Sequence, residues 1–290
     1  MLPSNPLVSV IIPCYNHGQY VMEAIASVQA QTYTNWEIIV VNDGSTEELT
    51  NEILSNLNMT GVQVIHTRNQ GLPAARNNGI ARATGEYVLP LDADDRIAAT
   101  YVEKAMDEFK RNQEVKLVYC RGRYFGARTD AVPFNGNPFS LKDLLLYNFI
   151  FCSAFFRRND FKAVGGYSVS MKGGWEDWDF WIRLLKDGGN VFQLPEELFF
   201  YRAKHSSMIE DVKQNVMLQQ RLGEQLFSNN REVYFSVFGS PLEVYRQWQQ
   251  LKQENDTVEA ARQSVYATAS YRLGHILLYP LKRLKDFLKK

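Results

Sequence analysis

The sequence predicts an α/β fold, a mostly parallel sheet with helices on both faces, followed by a helical extension. Two observations predict it. In the first half, near-continuous aliphatic runs such as Val8–Ile12 (VSVII) and Glu37–Val41 (EIIVV) alternate with amphipathic segments. After about Val212 the pattern is helical and polar, with no further strand signal. Unbroken aliphatic runs suit strands covered on both faces, and strand–helix alternation suits parallel strands joined by crossover helices. Such connections are right-handed, and ligands bind beyond the carboxyl ends of the strands.

Taken in order, Val8–Ile12 is the first strand and Tyr20–Ala30 the first helix. Glu37–Val41 is the second strand, and Glu47–Leu57 is helical, with Ser45 and Glu48 spaced as a capping box. Val62–His66 is the third strand, and Pro73–Ala83 is a helix whose proline suits its first turn. Tyr87–Leu91 is the fourth strand, and Ala98–Arg111 is a helix, with Asp95 as its expected cap. A strand at Leu117–Cys120 precedes an irregular stretch from Arg121 to Pro138. Leu141–Tyr147 reads as helix, Phe151–Phe156 as strand, Glu176–Lys186 as helix and Val191–Arg202 as an extended segment.

With 290 residues the chain has room for one large domain and an appendage. The 32 basic and 32 acidic residues cancel, so no global field favours nucleic acid, and no nucleic-acid partner is expected. Three cysteines without paired spacing argue against a disulfide framework or a zinc site. The N-terminal MLPSNPLVSVIIP lacks the features of a secretory signal, and no run reaches the length of a membrane span. The expected location is cytoplasmic, at most on the inner face of a membrane.

Chemistry concentrates at strand ends. Pro13-Cys14-Tyr15-Asn16 follows the first strand, Asn42-Asp43-Gly44-Ser45 the second, and Asp92-Ala93-Asp94 the fourth. Three polar clusters at corresponding ends of parallel strands converge on one crevice. Asp43 can accept hydrogen bonds from a base or ribose, though Asn-Asp-Gly is also a common turn. Tyr15 can flank a flat base. Arg76 is either an exposed helix residue or a neighbour of the base pocket. Neither a dinucleotide-binding glycine fingerprint nor a P-loop is present. A diphosphate held without a glycine cradle needs a cation, and Asp92 and Asp94 offer hard oxygen ligands for magnesium or manganese. A second acidic cluster, GGWEDWDFWIRL from Gly173 to Leu184, opens a helix. Acids in a first turn favour the helix dipole, the reading taken for Asp179. The preceding glycines allow close approach of a ligand, so a carboxylate there can serve as general base. Trp175 and Glu176 beside it are candidates for contact with a sugar. His205, in YRAKHSS, is either an ordinary loop histidine or a further metal ligand.

Together, VSVIIPCYN, VVNDGSTE, GLPAARNNGIARATGEYVLPLDADD and GGWEDWDFWIRL resemble the family 2 glycosyltransferases of GT-A fold, from Val8 to about Ser207. The resemblance implies an inverting transfer of a sugar from a nucleotide-diphosphate-sugar donor to an acceptor hydroxyl. It also implies roles. Pro13, Tyr15, Asn16, Asp43, Arg76 and Asp92 would hold the nucleotide, and Asp94 and His205 a manganese or magnesium ion. Asp177 would be the catalytic base. The Gln-x-x-Arg-Trp motif of processive synthases is absent, so transfer of one or a few sugars is expected. The rivals are a sugar nucleotidyltransferase, which would want a glycine-rich loop where PCYNHG stands, and a non-catalytic nucleotide-sugar-binding module. On this reading residues 1–215 form the catalytic domain and 216–290 a helical extension. The extension ends in SYRLGHILLYPLKRLKDFLKK, where leucines at helical spacing and a net charge of plus five over 272–290 suit a membrane interface. Such a peripheral contact through 270–290 would fit a glycan or lipid-linked acceptor in cell-surface polysaccharide synthesis.

Overall fold

The structure, a computed structural model, describes residues 5–133, 139–204, 212 and 214–267. Its contacts divide the chain into two compact units, Met1–Val233 and Tyr234–Lys290. The chain runs β1 (Val8–Cys14), α1 (Gly18–Gln29), β2 (Trp36–Asp43), α2 (Glu48–Asn56), β3 (Val62–Thr67), α3 (Leu72–Arg82), β4 (Tyr87–Pro90) and β5 (Arg96–Ile97). Then come α4 (Tyr101–Arg111), β6 (Val115–Gly126), α5 (Leu141–Leu144), β7 (Phe155–Arg157), α6 (Arg158–Ala163), α7 (Glu176–Leu185) and β8 (Asn190–Ala203). The helices α8 (Val216–Asn229), α9 (Arg231–Phe238) and α10 (Pro241–Ala267) follow.

The eight strands form one sheet in the order β3-β2-β1-β4-β7-β6-β8-β5. Strand β1 pairs in parallel with both β2 and β4, and β2 in parallel with β3. Strand β7 is antiparallel to β4 and β6, which makes the sheet mixed. The chain steps outward from β1 through β2 to β3, then crosses back to place β4 on the other side of β1. The crevice between the carboxyl ends of β1 and β4 is therefore the topological switch point, where open α/β sheets bind ligands.

Every residue of β1 is buried, as its unbroken aliphatic run requires. Val8, Val10 and Ile12 join α1 and α4 residues such as Val21, Ile25 and Val102 in one core cluster. The opposite face of the same strand meets α3: a Cβ placed on Gly79 would lie 2.4 Å from Ile11 Cγ2 and 3.0 Å from Val41 Cγ2. Only a glycine lets that helix approach so closely. Helices thus cover both faces, and full burial of an Ile or Val side chain contributes about 1.5–3 kcal/mol.

Three sequence expectations are corrected. Helix α4 starts at Tyr101 rather than Ala98, and Asp95 caps nothing. It is buried, and its Oδ1 accepts the backbone N–H of Arg202 at 2.8 Å, while the short strand β5 intervenes. Ser45 and Glu48 form no capping box. The first free amides at α2, those of Thr46 and Glu47, donate instead to Asn16 Oδ1 at 2.8 and 3.0 Å, and Ser45 Oγ accepts from Asn16 N at 3.1 Å. Part of the stretch read as irregular is strand: β6 continues to Gly126, because Arg121–Gly126 pairs in parallel with Glu197–Ala203 of β8. The first unit, which runs to Val233, includes α8. Leu222 and Leu226 of α8 are buried, and Asn229 and Asn230 donate to Asp179 Oδ1, each at 2.9 Å.

Within the second unit, α10 exposes Val244, Trp248, Leu251, Val258 and Val265. The segment 270–290 lies outside the described residues. No helix among the described residues is long and apolar enough to cross a membrane.

Candidate active site

A cleft of about 1640 Å³ opens over the switch point. Its lining contains Pro13, Tyr15 and Asn16 at the end of β1, Asp43 at the end of β2, Arg76 on α3, Asp92 and Asp94 after β4, and Trp175, Glu176 and Asp177 at the start of α7. The structure thus brings together all the site residues singled out from the sequence except His205, which lies outside the described residues.

The side of the cleft next to β1 and β2 is held by hydrogen bonds between loops. Asp43 is buried; its carboxylate accepts from Thr67 Oγ1 at 3.1 Å, from Gly71 N at 2.9 Å and from Gln70 N at 3.1 Å. It pins the loop leading into α3 while still facing the cleft. Asn16 has φ 54°, in the left-handed region that asparagine tolerates, and this turns its amide onto the α2 N-terminus. Tyr15 stays exposed at 44%, a free aromatic face at the cleft mouth.

Arg76 is not exposed; it lines the cleft from α3. It is fully buried, and its guanidinium bridges Asp92, at 2.7 Å, and Glu176. The two acids raise its pKa well above the ordinary arginine value against the opposing effect of burial. Asp92 also accepts from Cys152 Sγ at 3.5 Å, and burial, reinforced by Asp92, keeps that thiol protonated. Sequence spacing gave no sign that Cys152 would face Asp92.

Asp177 is half-buried beside Glu176 at the helix start. Burial, reinforced by the charge of Glu176 and offset by Arg76, pushes its carboxyl up to about 7. A base with that pKa is matched to proton transfer near neutrality. The backbone places it there through three consecutive residues of positive φ: Gly173 at 99°, Gly174 at 135° and Trp175 at 61°. A left-handed tryptophan is uncommon and costs about 1–3 kcal/mol, strain of the kind that collects at functional sites. Trp175 lies edge-on to Trp178 at 5.1 Å between ring centres, and the Trp178 indole N–H donates to the Leu144 carbonyl at 2.5 Å. Glu176, read as a sugar contact, has its Oε1 engaged by Arg76. Asp179, read as a helix-dipole acid, is fully buried and also binds Arg183 at 2.7 and 2.9 Å.

The Asp92–Asp95 turn is organised from β8. Arg202 donates from Nε to the carbonyl of Asp94 at 2.7 Å, and its Nη2 reaches Glu23 at 2.8 Å. Two residues on, Lys204 Nζ lies 2.6 Å from Asp94 Oδ2 and 3.2 Å from His17 Nε2. Asp94 therefore receives a cation in this structure, an ammonium, which is the kind of partner its carboxylate would offer a metal. Among the described residues no group of three or more His, Cys, Asp or Glu side chains is arranged to hold a metal ion. Sequence reasoning missed Arg202 and Lys204; their spacing of two at the end of an extended segment, which favours one side for both side chains, was the available signal.

Comparison with known proteins agrees with this geometry. The family model of Glycosyl transferase family 2 matches residues 9–165, and that of the N-terminal domain of galactosyltransferase matches residues 146–210. An uncharacterized glycosyltransferase of Rickettsia bellii is 44% identical over 46% of the chain, which spans only 20% of that protein. The chain likewise spans about a fifth of two other rickettsial relatives. The putative colanic acid biosynthesis glycosyl transferase WcaA of Escherichia coli is 27% identical over 71% of this chain and 76% of its own. Chondroitin synthase of Escherichia coli is 29% identical over 69% of the chain and 29% of the synthase. Among solved structures, S. aureus TarS 1-349 in complex with UDP-GlcNAc superposes with a TM-score of 0.59 at 18% identity, covering 81% of this chain and 77% of that one, a likeness of fold. With more than half its length matched by the family model, and with the fold and the cleft to go with it, the chain belongs to glycosyl transferase family 2.

Proposed function

We propose that the protein transfers a sugar from a nucleotide-diphosphate-sugar donor to an acceptor hydroxyl with inversion, and that Asp177 is the general base. The observation that carries this reading is the placement of a carboxyl of pKa about 7 in the same cleft as the Asp43, Asp92 and Asp94 cluster. The acceptor O–H gives its proton to Asp177 as its oxygen attacks the anomeric carbon. The new C–O bond forms as the bond to the diphosphate oxygen breaks, and the electron pair leaves with the nucleoside diphosphate. Attack opposite the leaving group inverts the centre, and no sugar–enzyme bond is required.

Tyr15, Asn16 and Asp43 line the nucleotide end, and Trp175 forms a wall at the sugar end. Asp94, with His205, is the proposed holder of manganese or magnesium; the ion would supply Lewis-acid stabilisation of charge on the departing diphosphate. The solved complexes of TarS with UDP and with UDP-GlcNAc make uridine donors the first to test. Relatives named for colanic acid biosynthesis and chondroitin synthesis support an acceptor in a cell-surface polysaccharide. For a lipid-linked acceptor, the basic, leucine-spaced sequence of 270–290 supports a peripheral contact on the cytoplasmic face of a membrane. Loss of flotation on anionic liposomes after truncation before Ser270 would support that contact, and equal flotation would refute it.

The test is a thermal-shift screen of the full chain with UDP-, GDP- and dTDP-sugars, with and without manganese. It is followed by NMR of the product's anomeric configuration. One nucleotide should raise Tm, more so with manganese, and the product should carry the configuration opposite to the donor's. Retention of configuration would overturn the single displacement.

A further inference from the structure

Strand β8 does more than close the sheet. Its end and the residue that follows deliver two cations, Arg202 and Lys204, to the turn that carries Asp92, Asp94 and Asp95. Arg202 fixes the backbone of that turn through the Asp94 carbonyl and the Asp95 carboxyl. Among the described residues, the Lys204 ammonium meets side chains only. It lies 2.6 Å from Asp94 Oδ2 and 3.2 Å from His17 Nε2, and 5.5 Å from the centre of the Tyr20 ring. Lys204 and Asp94 are both mostly sheltered, at 22% and 15% exposed, inside the cleft rather than on an outer surface where ion pairs contribute little. A carboxylate, an imidazole nitrogen and an aromatic face are the surroundings of a bound cation. The chain fills them with a cation of its own.

We infer that Lys204 is a tethered cation that occupies the Asp94 position in the donor-free enzyme and competes there with the divalent ion. The inference rests on the metal role proposed for Asp94. The ammonium neutralises Asp94 while no donor is bound, so that Asp92, Asp94 and Asp95 do not repel one another across a few ångströms. It also weakens binding of free metal. A donor that brings both a metal and a diphosphate gives the ammonium a new anionic partner, so metal enters with donor rather than before it. Lys204 is a positioning residue here: it sets the order of binding, and no reacting atom passes through it.

The test is manganese(II) binding to the full chain without nucleotide, read by electron paramagnetic resonance or calorimetry rather than by turnover. Lys204→Met should bind manganese about three- to tenfold more tightly than the wild type, the range for a partly sheltered unit charge at this distance. Lys204→Arg should bind as the wild type does, because the charge is kept. In an Asp94→Asn background, Lys204→Met should make no difference, since the shared partner is gone. Equal affinity in wild type and Lys204→Met, or weaker binding in the latter, overturns the competition while leaving the metal role of Asp94 standing. No manganese binding by either protein, even with UDP added, overturns both.

Discussion

Arg76 and Asp92 are joined at 2.7 Å, and the same guanidinium holds Glu176, so one buried cation from α3 links the end of β4 to the start of α7. The cleft has its two acidic walls tied together from behind. Asp177, the next residue after Glu176, feels this pair directly: Glu176 raises its pKa and Arg76 lowers it.

Removing Arg76 should therefore disturb both stability and chemistry. Arg76→Met leaves the buried Glu176 and the partly exposed Asp92 without their shared cation, a change that costs about 3–5 kcal/mol. Arg76→Lys keeps the charge but cannot reach both acids with a planar fork, and should lose a substantial part of the same stability. Urea denaturation measures both. In whatever fraction folds, the pH midpoint of transfer should move above that of the wild type, because the group that lowers the Asp177 pKa is gone. A wild-type midpoint in Arg76→Lys and Arg76→Met alike would separate Arg76 from Asp177.

Asp177→Asn should keep donor binding and lose transfer by about 10²- to 10⁴-fold, the usual contribution of a general base. In the wild type, kcat/KM should rise with pH around a midpoint near 7, as Asp177 loses its proton. The linkage to stability has the opposite sign. The folded state holds this proton more tightly than the unfolded chain does. Its stabilising contribution is complete below the unfolded carboxylate pKa and is lost as pH rises through about 7. Asp177→Asn carries no such charge, so its Tm should exceed that of the wild type by a few degrees at pH 8, with the gap closing towards pH 5. A pH-independent gap would mean that the charge of Asp177 is not the cause.

The mostly parallel sheet was legible because β1, β2 and β4 are nearly pure aliphatic runs, which suit strands buried on both faces; the order of its strands was not. The convergence of Asn16, Asp43, Asp92 and Asp94 was legible for the same reason, since parallel strands put their loops at one end; Asp177 reaches the cleft from α7, a place that only the family resemblance implied. What the sequence hid were partners distant along the chain. Nothing local to Asp95 distinguishes a helix cap from a buried acceptor; the Arg202 amide that decides it is 107 residues away. Arg76 could be either exposed or buried until α7 was placed over it, because a charged side chain is buried only where partners are supplied. Asp179 looked like one more acid in a first turn until α8 brought two amides to it.

Asp94 and Asp95 should respond differently to loss of charge. Burial, with Asp94 and Asp92 adding to it, drives the Asp95 carboxyl well above the ordinary carboxylate range, and its Oδ2 has no hydrogen-bond partner. Asp95→Asn keeps an acceptor for the Arg202 amide and should be close to neutral in urea denaturation at pH 7. Asp95→Ala leaves that amide unpaired and should cost about 1–3 kcal/mol. Asp94→Asn should change stability little but weaken manganese-dependent donor binding in calorimetry. Equal loss of metal-dependent binding in Asp94→Asn and Asp95→Asn would show that the two carboxyls act as one site.

Asp179 should prove to be a structural acid rather than a helix-dipole one. Its side chain is fully buried; Oδ2 takes two hydrogen bonds from Arg183, and Oδ1 takes one each from Asn229 and Asn230. The dipole reading predicts a loss of about 0.3–1 kcal/mol for Asp179→Ala, and predicts it for Asp177→Asn as well. The buried-anchor reading predicts about 3–5 kcal/mol for Asp179→Ala alone, because Arg183 and two amides lose their acceptor together. Amide hydrogen exchange locates the effect. The anchor fastens the end of α8 to α7, so exchange at Leu222–Asn229 should quicken by more than exchange in β1 or β2, whose core Asp179 does not touch. Asp179→Asn, which keeps an oxygen for Asn229 and Asn230 but loses the charge facing Arg183, should fall between the wild type and the alanine variant. If α8 exchanges no faster than β1 in Asp179→Ala, the helix is held by Leu222 and Leu226 alone, and Asp179 serves only its own helix.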